Sequence, residues 1–164
     1  ALMREHDLIH CKNIGIGAMP GNIHQTPEGV TGFIAKCNEI GRAMHDEGKQ
    51  LCYHYHAFEF EVYDGMRTFE RLINETSPET LHFVPDVYWM QVGGVNPAEY
   101  MKKLAGRVEV CHFKDMRIVN NEQRFAECGT GNLDLSACYR ACQEIGVKYI
   151  VTLLIVFIPF FIDK

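Results

Sequence analysis

The chain has 164 residues, enough for one domain with a sizeable core. Its apolar fraction of 47 % and charged fraction of 23 % lie near the average of soluble globular proteins. A net charge of −5, with no basic run beyond Lys102-Lys103, argues against nucleic acid as a partner, because phosphate binding needs a basic face.

In chain order, the sequence opens in what reads as the middle of a helix (Leu2, Met3, Leu8, Ile9). NIGIG (13–17) is a short strand ending in glycine. After a loop with Pro20, Gly21 and Pro27, the apolar residues Val30, Phe33, Ile34, Cys37, Ile40 and Met44 recur at helical spacing, and Gly48 closes the helix. QLCYHYH (50–56) is a strand, and residues 67–76 form a helix carrying Phe69, Leu72 and Ile73. TLHFVPD (80–86) is a strand that reaches Asp86; Pro97 then starts a helix that ends at Gly106. RVEVCHF (107–113) is a strand, followed by a long loop to about residue 132. Asn132 or Asp134 caps a helix through Ala137, Cys138, Ala141 and Ile145, and VKYIVTLLI (147–155) is the last strand.

This alternation predicts βαβ units and a parallel α/β sheet, either open and doubly wound or part of a (β/α)8 barrel. The strand ends favour the barrel. His54 and His56, then Asp86, then His112 lie at the carboxyl ends of three consecutive strands. A barrel gathers its chemistry from many neighbouring strand ends, whereas an open sheet uses one switch point. The expectation is a partial TIM barrel of about five parallel strands, with about three missing on the amino-terminal side. Residues 1–151 form its domain. Residues 152–164, in the apolar run IVTLLIVFIPFFI (150–162), form an aberrant tail too short to span a bilayer.

Seven cysteines, an odd number with no CxxC, mostly sit in apolar patterns and are read as reduced core residues. That predicts a reducing, cytoplasmic setting and makes the acceptor-like Asn74-Glu75-Thr76 a chance match. No membrane partner is expected.

YHYHAFEF (53–60) concentrates the chemistry. Strand alternation points His54 and His56 to one face, and Glu59 can reach the same centre from the loop. The bland alternative is one ligand and one hydrogen-bonded core histidine. Asp86 ends an apolar strand, where a carboxylate is costly unless paired or metal-bound. A helix-cap role is the alternative, although the bulky residues 87–89 that follow are poor turn chemistry. His112 shares a face with Lys114 and precedes Asp115, which suits a metal ligand with a supporting partner better than a lone core histidine beside a surface ion pair. GTGNLD (129–134) is either a turn or a loop whose free amides cradle an anion. GIGAMPG (15–21) has a displaced third glycine and an intervening proline, so it is not a nucleotide fingerprint. There is no P-loop and no nucleophile elbow.

Together these stretches resemble the sugar phosphate isomerase/epimerase family of xylose-isomerase-like TIM barrels. YHYHAFEF is similar to that family's YHNHxFEF strand. The likeness continues through FVPDVYWMQVGGVNPAEY, LAGRVEVCHFKDMR and ECGTGNLDL, over about residues 10 to 150. The resemblance implies a divalent metal (Mn, Mg, Co or Zn) at the carboxyl face, held by a glutamate, an aspartate, a histidine and a second glutamate. Asp86 matches the aspartate and His112 the histidine; His54, His56 or Glu59 fills the first glutamate's place. The expected metal ligands are His56, Glu59, Asp86 and His112. Glu59, His54 and Lys114 are the expected catalytic groups, and Trp89 and Arg117 the substrate contacts.

Two departures stand out. Tyr55 replaces the family's asparagine, and YIVTLLI replaces YIVVEQD, so no carboxylate stands near Thr152 or Leu153. With the mid-helix start, this reads as a fragment. The implied reaction is isomerisation or epimerisation of a ketose or keto-sugar, free or phosphorylated, by proton abstraction next to the carbonyl. The alternatives are a keto-sugar or inosose dehydratase, and a non-catalytic remnant. Exposed edge strands invite association into a homo-oligomer.

Overall fold

The computed structural model describes residues 2–152. The expected tail beyond Thr152 lies outside the described residues. The helices are α1 (Leu2–Leu8), α2 (Pro27–Asp46), α3 (Thr68–Asn74), α4 (Val87–Val92), α5 (Pro97–Met101) and α6 (Leu135–Glu144). The strands are β1 (Asn13–Ile16), β2 (Gln50–His54), β3 (Val62–Tyr63), β4 (Met66–Arg67), β5 (His82–Val84), β6 (Val110–Phe113), β7 (Asp115–Val119), β8 (Glu122–Ala126) and β9 (Tyr149–Thr152).

Five of these strands form one parallel arc. β1 pairs with β2 and β2 with β5, while β6 pairs with β9. The parallel bridges Phe83↔Val108 and Asp86↔His112 join β5 to β6. Strand order therefore follows chain order, as in a barrel wall, and the described strands do not close on themselves.

The two faces of the arc differ because side chains alternate. Leu51, Tyr53, Phe83, Cys111 and Phe113 enter the apolar core with Val30 and Phe33 of α2, Phe69 and Leu72 of α3, Met101 of α5, and Cys138 and Cys142 of α6. The intervening residues Cys52, His54, His112 and Lys114 belong to the other face, where the chemistry collects.

Local signals set the helix ends. The Thr26 side chain accepts from Gly29 N at 3.1 Å and Pro27 opens α2. Gly48, at φ +72°, reverses the chain so that Lys49 N reaches Met44 O at 2.8 Å before β2 begins. Gly41 lets α2 approach the loop before β5, since a Cβ there would stand 1.7 Å from Thr80 O.

The structure differs from the sequence expectation in three places. β2 ends at His54, so His56 lies beyond it instead of completing the strand. A short helix, α4, starts immediately after Asp86. The segment read as a long loop contains the antiparallel hairpin β7–β8, turned by Asn120 and Asn121, both at positive φ. Asn-Asn is acceptable in a type I′ turn, but the flanking strands are largely exposed and polar, so the apolar alternation that marks a strand is weak. No described helix is long and apolar enough to cross a membrane.

Candidate metal centre

Asp86 is the hub of the mouth. It is fully buried, and its two oxygens do different work. Oδ1 accepts from Tyr88 N at 3.0 Å and Trp89 N at 3.4 Å, capping α4. Oδ2 faces Lys114 Nζ at 2.6 Å, His54 Nε2 at 3.3 Å and His112 Nδ1 at 3.9 Å. The cap role and the site role, alternatives on the sequence alone, thus coexist on one carboxylate. Burial pushes the Asp86 pKa up, but the contacts with His54 and Lys114 outweigh it and hold the group below the usual range.

His54 Nδ1 lies 3.2 Å from Gly17 O. A carbonyl only accepts, so Nδ1 carries a proton, and Nε2 on the far side of the ring lies within hydrogen-bond distance of Asp86 Oδ2. His112 Nδ1 is a buried atom with no hydrogen-bond partner. Burial, reinforced by the charge of His54, lowers the His112 pKa and favours the neutral imidazole that a metal needs. The ligand atoms of His54, Asp86 and His112 lie within 4.8 Å of one another. Two nitrogens and a carboxylate with converging lone pairs could hold a divalent ion of borderline softness.

The other expected residues fall into three groups. His56 and Glu59 are not part of that cluster. The His56 ring sits edge-on to His54 at 4.8 Å, stacks on Phe58 and lies 5.1 Å from Trp89, with Nδ1 unpartnered. Glu59 is fully buried; it accepts from the Tyr53 hydroxyl and, at 2.8 Å, from His56 N. Tyr53 Oη in turn accepts from Met19 N at 3.0 Å. Burial raises the Glu59 pKa despite these donors. Glu59 thus braces the turn that carries His56. Trp89 is at the mouth, its ring centroid 5.7 Å from Lys114 Nζ and its Nε1 unpartnered. Phe125 of β8 reaches across to stack on Tyr88 at 4.4 Å. Arg117 lies on the exposed part of β7.

Asp115, read from the sequence as a supporting partner for His112, serves the loop before α6 instead. It is fully buried, and its carboxylate accepts from the amides of Met116 (2.8 Å), Gly129 (3.0 Å), Gly131 (2.9 Å) and Leu133 (3.2 Å). Of the two readings of GTGNLD, a turn or an anion cradle, the amides of Gly129 and Gly131 do hold a negative group, and it is Asp115 of the same chain. The one available signal was the juxtaposition of an aspartate at a strand end with a glycine-rich loop.

With this geometry in place, comparison with known proteins is decisive. Residues 4–155 match the xylose isomerase-like TIM barrel family. The chain belongs to that family. Among curated members, inosose dehydratase of Geobacillus kaustophilus is 29 % identical over 126 residues, 68 % of this chain and 40 % of that protein. Inosose dehydratase of Clostridium botulinum is 26 % identical over 125 residues, again 40 % of its length. The chain thus spans about two fifths of the curated relatives it matches. Two solved structures share its fold. A sugar phosphate isomerase/epimerase from Parabacteroides distasonis superposes with a TM-score of 0.68 at 20 % identity, covering 90 % of this chain and 51 % of that one. The IolI protein, solved with a bound zinc atom, gives 0.67 at 15 % identity, covering 92 % of this chain and 56 % of that one.

Proposed function

We propose that this chain carries the metal- and substrate-holding mouth of a divalent-metal-dependent sugar isomerase or epimerase acting on a ketose or keto-sugar, free or phosphorylated. The observation that carries the reading is the convergence of His54, Asp86 and His112 at three neighbouring strand ends. The zinc bound by the IolI protein, which shares the fold, supports the metal reading. A divalent cation held by the three side chains would supply Lewis-acid polarisation of the carbonyl next to the carbon that loses its proton.

The chain's own residues do the rest. Asp86 is fixed by two backbone amides, so its second oxygen stays aimed at the site. The Gly17 carbonyl sets the His54 tautomer. Trp89 and His56 offer ring faces and unpartnered nitrogens to a polyol. Glu59 holds the His56 backbone in place and acts on the mouth through it. The resemblance implies a glutamate base on the last strand, where this sequence has Thr152 and Leu153. Binding of metal and sugar with little turnover is the expected behaviour of this chain by itself.

The likeness to inosose dehydratases favours a second reading, loss of water from a keto-cyclitol, which begins with the same proton abstraction. The test is calorimetric titration of the chain and its Asp86→Asn variant with Mn²⁺ and Zn²⁺. Incubation with keto-sugars, their phosphates and an inosose follows, with products read by NMR. One-to-one binding lost in the variant supports the site. Epimers or isomers support the first reading and a dehydrated product the second. Equal binding by both proteins would refute the assignment.

A further inference from the structure

Among the described residues, Lys114 is the one lysine or arginine on Asp86 Oδ2. Its Nζ is 2.6 Å from that oxygen, the same atom approached by His54 Nε2 and His112 Nδ1. Oδ1 is engaged by the amides of Tyr88 and Trp89, so the charge of a fully buried carboxylate is balanced through Oδ2. The two histidine nitrogens stand farther off, at 3.3 and 3.9 Å; His54 Nδ1 donates to the Gly17 carbonyl, and His112 Nδ1 has no hydrogen-bond partner. The ammonium therefore fills a place bounded by one carboxylate oxygen and two imidazole nitrogens, which is the donor set of a divalent ion.

Resting on the metal reading above, we propose that Lys114 is the internal counter-ion of this centre. Its ammonium and a divalent cation are alternative partners of Asp86 Oδ2, and cation binding releases the ammonium to an oxygen of the substrate. The side chain can make that exchange. Lysine is a point charge on a flexible four-carbon stem, and the Trp89 ring, 5.7 Å from Nζ, offers a second favourable position at the mouth. A cation placed among the three ligands would also repel an ammonium held at 2.6 Å from one of them, which favours the exchange. The consequence is an order of binding: metal first, then sugar, because the sugar's ammonium partner is free only after the metal has replaced it on Asp86.

The test uses the full chain, Lys114→Met and Lys114→Gln, titrated calorimetrically with Mn²⁺ and Zn²⁺. Removing the competing charge should tighten metal binding on the order of tenfold or more in both variants. In the unsubstituted chain, saturating Zn²⁺ should raise the rate at which an amine-acetylating reagent modifies Lys114, read by peptide mass spectrometry. Unchanged or weaker metal binding in the variants, or unchanged Lys114 acetylation, overturns the exchange while leaving the metal site standing. No metal binding in any of the three proteins overturns the metal reading and this inference with it.

Discussion

Asp115 offers the sharpest test of how the mouth is built. Each of its oxygens takes two amides: Met116 and Leu133 on Oδ1, Gly129 and Gly131 on Oδ2. In Asp115→Ala all four lose their acceptor. Gly129 is exposed and can turn to water, but Met116, Gly131 and Leu133 are half-buried. Losing a charge-assisted bond at those three positions, at about 1.5 kcal/mol each, gives a destabilisation of about 4.5 kcal/mol. Asp115→Asn is the discriminating variant. Whichever way the amide is turned, its NH₂ faces two backbone N–H groups, so one pair of bonds is always lost, at a cost of about 1.5 to 3 kcal/mol. Urea denaturation would measure both losses, and hydrogen exchange at Gly131 and Leu133 would show whether they are local. An Asn variant within 0.5 kcal/mol of the unsubstituted chain, with unchanged exchange at those amides, would refute the idea that the carboxylate shapes the loop.

The remaining expectations follow from the same geometry. Asp86→Asn, which keeps an oxygen for the α4 cap, and His112→Ala should each weaken Mn²⁺ binding at least tenfold by calorimetry, while Lys103→Ala, on the outer surface with Glu70 and Tyr100, should leave it unchanged. At the other end of the arc, partial burial raises the Glu109 pKa, but bonds from Lys12, Lys148 and Asn13 outweigh it and hold the group at about 2. A depressed carboxylate pKa means that this stabilisation is complete above the ordinary value of 4.5 and is lost as pH falls toward about 2. Acid titration of the unfolding free energy should show less of that loss in Glu109→Gln, and identical acid profiles would count against the ion-pair cluster. Gly41→Ala should cost about 3 kcal/mol in a urea melt, because its Cβ would meet Thr80 O at 1.7 Å and α2 would have to move away from the loop before β5. A loss below 1 kcal/mol would show that this contact yields freely.

The strand–helix alternation and the candidate ligands Asp86 and His112 were legible from sequence for a physical reason. Apolar periodicity and helix stops are local, and a carboxylate at the end of an apolar strand is conspicuous because burying it is costly. The resemblance added a divalent metal and named the loop before α6. What alternation could not decide was where β2 stops. The chain leaves the strand after His54, so that ring joins Asp86 and His112, while His56 turns to Phe58 and Trp89 and Glu59 turns inward to Tyr53. Nor could sequence show that Asp86 caps a helix with one oxygen and faces the site with the other, or that the amides of Gly129 and Gly131 are already taken by Asp115. The convergence of His54, Asp86 and His112 and the hold of Asp115 on the glycine loop join residues 14 to 58 positions apart, whose geometry is fixed only when neighbouring strands settle into register. Sequence by itself determined which residue types the mouth contains; the tertiary structure decided which of their atoms converge.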